Sequence, residues 1–199
     1  MRKSKIYIAA FDFDGTLTTK DTLWEFLKFS LPAWRLYVGL AWLSPVLLLY
    51  LTGVLSNHKA KEILFSHYFK GWLLTDFTNA CQLFQVKIEE IANKDTLTIL
   101  GNHKSQNHTV FIVSASIENW IEPWAERYGI QTLATRIQID SEGKLTGKFS
   151  SNNCYGQEKV NRLSQVLPAK REDYYLYAYG DSRGDRELIN FADEGTYVK

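Results

Sequence analysis

The sequence predicts an α/β fold, a three-layer core whose parallel sheet is covered by helices on both faces, interrupted by an inserted all-helical unit. Three observations carry this expectation. Residues 6–13, 109–114 and 174–179 are short runs rich in β-branched and aromatic residues, with the length of buried strands. Stretches with helical spacing lie between and after them, at 77–91, 117–128, 157–167 and 185–191. Strands separated by helices imply a parallel sheet buried on both sides. The alternation fails once: from residue 18 to about 83 there is no good strand, and residues 36–55, LYVGLAWLSPVLLLYLTGVL, carry no charge.

The elements follow in order. The first run, IYIAAFDF, ends at Asp14-Gly15, a strand entering a turn. Residues 18–84 form the helical insert, which leaves 1–17 and 85–199 for the core. The second run, TVFIVS, ends at Ser114. Residues 134–139 and 145–149 read as a hairpin attached to the sheet. The helix at 157–167 places Val160, Leu163, Val166 and Leu167 on one face and opens with Lys159 in its first turn. The third run, YYLYAY, leads into Gly180-Asp181.

At 199 residues the chain suits one main domain with a smaller module. A net charge of +1 gives no electrostatic footprint for nucleic acid. Cys81 and Cys154 lie far apart without metal-ligand spacing, so neither a disulfide framework nor a zinc site is expected, and the reading is a reducing cytoplasm. His58, His67, His103 and His108 show no ligand spacing. The basic start MRKSK precedes too short an apolar run for an export signal, and is read as leading into a strand.

Ligands of parallel α/β sheets bind beyond the carboxyl ends of the strands. Three strand ends here carry polar groups: Asp12 and Asp14, then Ser114 and Ser116, then Asp181, Ser182 and Asp185. Carboxylates that converge repel one another unless a cation joins them, and an all-oxygen donor set fits Mg²⁺.

This constellation resembles the haloacid dehalogenase superfamily of phosphatases and phosphotransferases, whose core is Rossmann-like. DFDGT (12–16 for its DGT-bearing part), VSAS, GQEKV and GDSRGD match that family's four motifs in order. The resemblance implies that Asp12 is the nucleophile, forming an aspartyl-phosphate, and Asp14 the general acid and base. It implies phosphate binding by Gly15, Thr16, Ser114, Ala115 and Lys159, and Mg²⁺ binding by carboxylate oxygens of Asp12 and Asp181 and the backbone carbonyl of Asp14, with Asp185 supporting the metal or orienting Lys159.

The insert resembles the small helical cap, type C1, of the subfamily IB branch that contains phosphoserine phosphatase. There an acidic residue and a cap arginine hold the amino acid. Asp21 matches the first, but no arginine occurs between Arg35 and Arg127, and Lys59, Lys61 and Lys70 are the available cations, with Lys59 taken as the candidate. The C-type phosphatidylglycerophosphate phosphatases are similar in their apolar cap and in a cysteine just before Gly-x-Glu-Lys-Val, here Cys154 to Val160. That similarity implies a lipid phosphomonoester as substrate.

Residues 36–55 are long enough to cross a bilayer. A single crossing would separate Asp12 from Ser114 and Asp181, so the segment must turn back, lie in the interface, or pack within a soluble cap. Pro45, Gly39 and Gly53 permit a broken hairpin, Arg35, Lys59 and Lys61 flank it, and Trp34, Tyr37, Trp42 and Tyr50 suit the headgroup level. Peripheral contact through residues 31–55 at the cytoplasmic face, and a soluble cap covered by a dimer, both stay open. So do a phosphotransferase, a phosphatase of a small soluble metabolite, and a silent membrane-associated binding protein.

Overall fold

The structure, a computed structural model, describes residues 5–198; the basic residues 1–4 lie outside it. The chain begins with β1 (Ile6–Phe11) and then enters five helices: α1 (Thr22–Ser30), α2 (Ala33–Trp42), α3 (Ser44–Leu51), α4 (Asn57–Phe69) and α5 (Leu74–Glu90). After them come α6 (Lys94–Ser105), β2 (Thr109–Ile117), α7 (Glu118–Arg127) and β3 (Gln131–Thr135). A small ribbon, β4 (Ile137–Ile139) and β5 (Leu145–Phe149), precedes α8 (Gln157–Val166), β6 (Tyr174–Gly180), α9 (Arg186–Phe191) and β7 (Glu194–Tyr197).

Five strands form one sheet in the order β3-β2-β1-β6-β7, every neighbouring pair parallel. β1 lies at its centre, so both of its faces are buried. Ala9 and Phe11 join one apolar cluster with Trp120, Ile121 and Trp124 of α7, while Ile8 and Ala10 join another with Leu163 of α8 and Leu188 of α9. Alternation of side chains along a strand thus feeds two separate cores, which gives three layers. The insert shares the first core through Phe26, whose ring lies 5.5 Å from Phe77, 5.1 Å from Phe84 and 4.8 Å from Trp120.

The hairpin is placed differently from the expectation. The run 134–139 divides at Arg136: residues through Thr135 belong to the main sheet beside β2, and Ile137 starts the separate β4–β5 ribbon. The ribbon attaches to the insert, where Leu145 donates to Trp72 and accepts from Gly71 through backbone groups, both at 2.8 Å. Phe149 packs on Phe65 of α4 at 5.7 Å, so the ribbon buries its apolar face on the aromatic side of the helical insert rather than on a sheet edge. α6 and β7 are elements the sequence reading does not name; α6 has a weak apolar stripe and β7 is four residues long. α5 runs unbroken through residues 84 and 85.

Residues 36–55 fold as two helices bent by 58° between α2 and α3, and no single helix among the described residues is long and apolar enough to cross a membrane. Pro45 sits in the first turn of α3, where its missing N–H costs nothing. Leu36, Gly39 and Leu43 face inward, and the Tyr68 hydroxyl donates to the Leu36 carbonyl at 2.7 Å. A Cβ on Gly39 would meet that hydroxyl oxygen at 2.5 Å, so α2 packs on α4 only with glycine there. The outer side of the elbow is exposed, with Trp42 and Leu51 each at 78% and Trp34 at 70%.

Candidate active site

Beyond β1 the chain makes a wide turn over Phe13–Leu17, closed by the Thr18 amide donating to the Phe13 carbonyl at 2.9 Å. Gly15 adopts φ +77°, and a Cβ there would lie 2.3 Å from Oδ2 of Asp181, so two reasons make it glycine. The Asp12 amide donates to the Tyr179 carbonyl at 2.9 Å, which ties the end of β1 to the end of β6. Parallel register therefore brings Asp12 and Asp181 to the same edge of the sheet.

Asp12 is buried, and so are Lys159 and Asp185. Lys159 reaches from the first turn of α8 and pairs with Asp12 and Asp185, both at 2.5 Å. Burial pushes the Asp12 carboxyl from 3.8 up to about 7, against the pull of Lys159. Burial works against the charge on Lys159 as well, but the two carboxylates outweigh it and hold the ammonium protonated well above the usual lysine range. The second oxygen of Asp185 accepts from the amides of Asp181 and Ser182 at 3.3 and 3.0 Å and from the Ser182 hydroxyl at 2.9 Å. With that many donors Asp185 is fixed, and it fixes Lys159 in turn.

Asp14 points elsewhere. Oδ1 accepts from the backbone amide and the hydroxyl of Thr22 at 2.9 and 2.6 Å, and Oδ2 accepts from the Ser116 hydroxyl. Its carboxylate is held at the N-terminus of α1, outside the cluster formed by Asp12, Asp181 and Asp185. Ser114 is buried, and its hydroxyl oxygen accepts from the Ser116 amide at 3.0 Å, leaving its own proton to donate. Asp12, Asp181 and Asp185 place carboxylate oxygens within 4.8 Å of one another. Three hard oxygen donors so close fit a small divalent cation such as Mg²⁺, and they are the residues that would hold it.

These groups open on a cavity of about 310 Å³ lined by Asp12, Asp14, Gly15, Ser114, Ala115, Lys159, Asp181 and Asp185. The insert contributes Thr19, Lys20, Asp21, Asn57 and Lys61 to the lining. Of the residues named from sequence, Thr16 does not line the cavity: it is fully buried beneath the turn, and its hydroxyl has no hydrogen-bond partner among the described residues.

Lys59 is also elsewhere. It is 55% exposed on α4 and pairs with Glu62 at 2.8 Å. Two residues further along a helix lie about 200° around it, so Lys61 takes the inward side that Lys59 cannot reach. Lys61 donates to the Ala115 carbonyl at 2.9 Å. Burial lowers its pKa, opposed by Asp14, Asp21 and Asp12. The sequence reading does not assign Lys61, Thr22 or Asn57 to the site; only a helical wheel of α4 anchored on its buried residues would have separated the two lysines.

The haloacid dehalogenase-like hydrolase family profile matches residues 9–190. The chain is 32% identical to the protein CicA of Caulobacter vibrioides over 194 residues, covering 96% of this chain and 85% of that protein. Among solved structures it superposes on a Bordetella pertussis protein of unknown function with TM-score 0.82 at 21% identity, covering 95% of this chain and 88% of that one. A phosphoserine phosphohydrolase-like protein from Francisella tularensis superposes with TM-score 0.66 at 18% identity, over 97% and 85% of the two chains. At those identities the superpositions show a shared fold.

Proposed function

This chain belongs to the haloacid dehalogenase-like hydrolases, and on that premise we propose that it is a Mg²⁺-dependent phosphomonoester phosphatase working through an aspartyl-phosphate on Asp12. The observation that carries the reading is the buried Lys159 ammonium held between Asp12 and Asp185, with Asp14 clamped separately across the same cavity.

The residues divide the work. Lys159 engages Oδ1 of Asp12, which leaves Oδ2 to attack phosphorus while the bond from phosphorus to the leaving oxygen breaks. Asp14, protonated for this step, gives its proton to that oxygen and the alcohol departs. Asp14, now a carboxylate, takes a proton from water as the water attacks phosphorus and the Asp12–phosphorus bond breaks, releasing inorganic phosphate. Ser114 donates to a phosphoryl oxygen, and Gly15 and Ala115 line the same cavity. Mg²⁺ at Asp12 and Asp181 would supply positive charge to offset that of the phosphoryl group.

For the substrate, the reading that best fits the insert is an apolar or membrane-borne phosphomonoester, phosphatidylglycerophosphate by resemblance. It is supported by the exposed apolar elbow of α2 and α3, and by a cap wall whose cations are two lysines, Lys20 and Lys61, with no arginine. A phosphoserine-like substrate is favoured less, because the wall offers no arginine. Measured phosphate release from purified protein and its Asp12→Asn variant tests the reaction. Loss of turnover by about three orders of magnitude or more is expected, with a cooperative melting transition retained because Lys159 keeps Asp185 as its partner. Near-normal turnover in that variant overturns the assignment.

A further inference from the structure

A second chamber of about 190 Å³ adjoins the catalytic cavity, between α1, α3 and α4. The two share Asp21, Asn57 and Lys61, which form the passage between them. Beyond that passage the wall is apolar: Leu23 and Trp24 from α1, Val46 and Leu47 from α3, Ala60 and Leu64 from α4. Of the wall's polar groups, Asn57 is already engaged, its amide donating to the Tyr50 hydroxyl at 3.1 Å and accepting from Asn153 at 2.8 Å. No residue of α3 is fully buried, although seven of its eight residues are apolar or aromatic. An apolar chamber left unfilled forfeits contact energy, and such spaces take apolar ligands in preference to water.

We propose that this chamber seats an apolar segment of the substrate's leaving group. The inference rests on the phosphatase reading and names the substrate class of that site: a phosphomonoester whose alcohol carries a few polar atoms next to phosphorus and then a hydrocarbon stretch. With phosphorus between Asp12, Ser114 and Lys159, a leaving oxygen beside Asp14 must continue toward the insert, where Asp21, Asn57 and Lys61 line the route. Lys61 spends one donor on Ala115 and keeps two for oxygens of the leaving group just after the ester bond. Past Lys61 the surroundings turn hydrocarbon, and a leaving group that stayed polar would lose its hydration there without partners. The chamber is narrow, about six water volumes, so selectivity extends over a short chain and then stops.

The test uses soluble linear alkyl phosphates from methyl to octyl, below their aggregation limits and without detergent, together with the matching non-hydrolysable alkylphosphonates measured by titration calorimetry. In the native protein kcat/KM and phosphonate affinity should each rise about fourfold per methylene while the chamber fills, and then level off. Ala60→Phe, which fills the chamber, should flatten the series, and Leu47→Ala should move the plateau to longer chains. Phosphate release independent of chain length overturns the chamber and leaves the phosphatase reading standing. So does a rise that persists undiminished in Ala60→Phe, since that marks adsorption to the outer surface. Chain-dependent phosphonate binding with no phosphate release from any ester overturns the reaction and supports the chamber; neither binding nor release overturns both.

Discussion

Thr22 gives two hydrogen bonds to one oxygen of Asp14, from its amide at 2.9 Å and its hydroxyl at 2.6 Å. The same hydroxyl oxygen accepts from the Trp120 indole at 3.1 Å. The first residue of α1 thus aims the carboxyl group assigned to proton transfer and anchors it to α7. Thr22→Val keeps the amide bond, loses the hydroxyl, and leaves the indole without its partner. A loss of about 1–3 kcal/mol in stability is expected, together with a fall in turnover that is larger for esters of poor leaving groups, which need the proton most. Thr22→Ser should restore both. Equal loss across leaving groups would mean that Thr22 is structural only.

The Lys159 ammonium is enclosed by two carboxylates with almost no access to water. Lys159→Met leaves Asp12 and Asp185 facing each other without a counter-charge, and breaking a buried pair by removing one partner costs about 3–5 kcal/mol. Thermal unfolding should show that loss at neutral pH, with turnover abolished. Asp185→Asn in the same background should recover part of the stability and none of the activity. Recovery of activity would show that Lys159 serves only to balance charge.

Gly15 and Asp181 touch so closely that a methyl group on Gly15 would strike the carboxylate. Gly15→Ala therefore displaces Asp181 and strains a backbone at φ +77°, with about 1–3 kcal/mol lost to the strain. If Asp181 holds Mg²⁺, the variant should need much higher Mg²⁺ to reach half its maximal rate, and its unfolding temperature should respond less to added Mg²⁺. EDTA should silence the native enzyme and Mg²⁺ restore it. Undiminished activity in metal-free buffer would remove the metal from the mechanism.

On the other side of the sheet His103 is buried, with one ring nitrogen 2.8 Å from the Tyr179 hydroxyl and the other 2.8 Å from His108. Tyr177 stacks on the His108 ring and lies tilted against that of His103. Burial, and then His108, hold the His103 pKa below its ordinary 6.5. The unfolded chain takes up a proton near 6.5 that the folded protein resists, so stability is full above that value and declines as pH falls through it. Melting temperature should drop between pH 7 and 5, and more gently in His103→Gln. Identical slopes would place the acid sensitivity elsewhere.

The candidate site at the carboxyl edge of the sheet is legible because its residues sit in unbroken local patterns: apolar strands ending in Asp12, Ser114 and Asp181, and a lysine opening an amphipathic helix. The insert was less so. Its helices are apolar on several sides, so periodicity did not say which of Lys59 and Lys61 faces inward. The β4–β5 ribbon has the sequence of a hairpin, but its docking is decided by Phe65 and Trp72, remote in sequence, and not by the sheet. α6 was missed since its inward face is set by few residues, among them Leu100 and His103. The Asp14–Thr22 clamp links positions eight apart across a turn that no propensity rule describes.

The elbow of α2 and α3 turns Trp34, Trp42, Leu48 and Leu51 outward together. Contiguous apolar surface of this kind marks a site of contact, and a bilayer suits it on two counts: aromatic rings favour the headgroup level, and a bend of 58° lets the helices lie in the interface without crossing. Burying those side chains at about 25 cal/mol per Å² contributes several kcal/mol, enough for reversible attachment. Vesicle co-sedimentation should therefore retain the native protein and lose Trp42→Ser/Leu51→Ser, while both hydrolyse a soluble ester equally, since neither residue lines the catalytic cavity. On a lipid phosphomonoester in vesicles the variant should be slower by tenfold or more. If the native protein stays in the supernatant and sediments in the ultracentrifuge as a dimer that the same substitutions dissociate, the exposed face is a contact between two copies and the membrane reading is withdrawn.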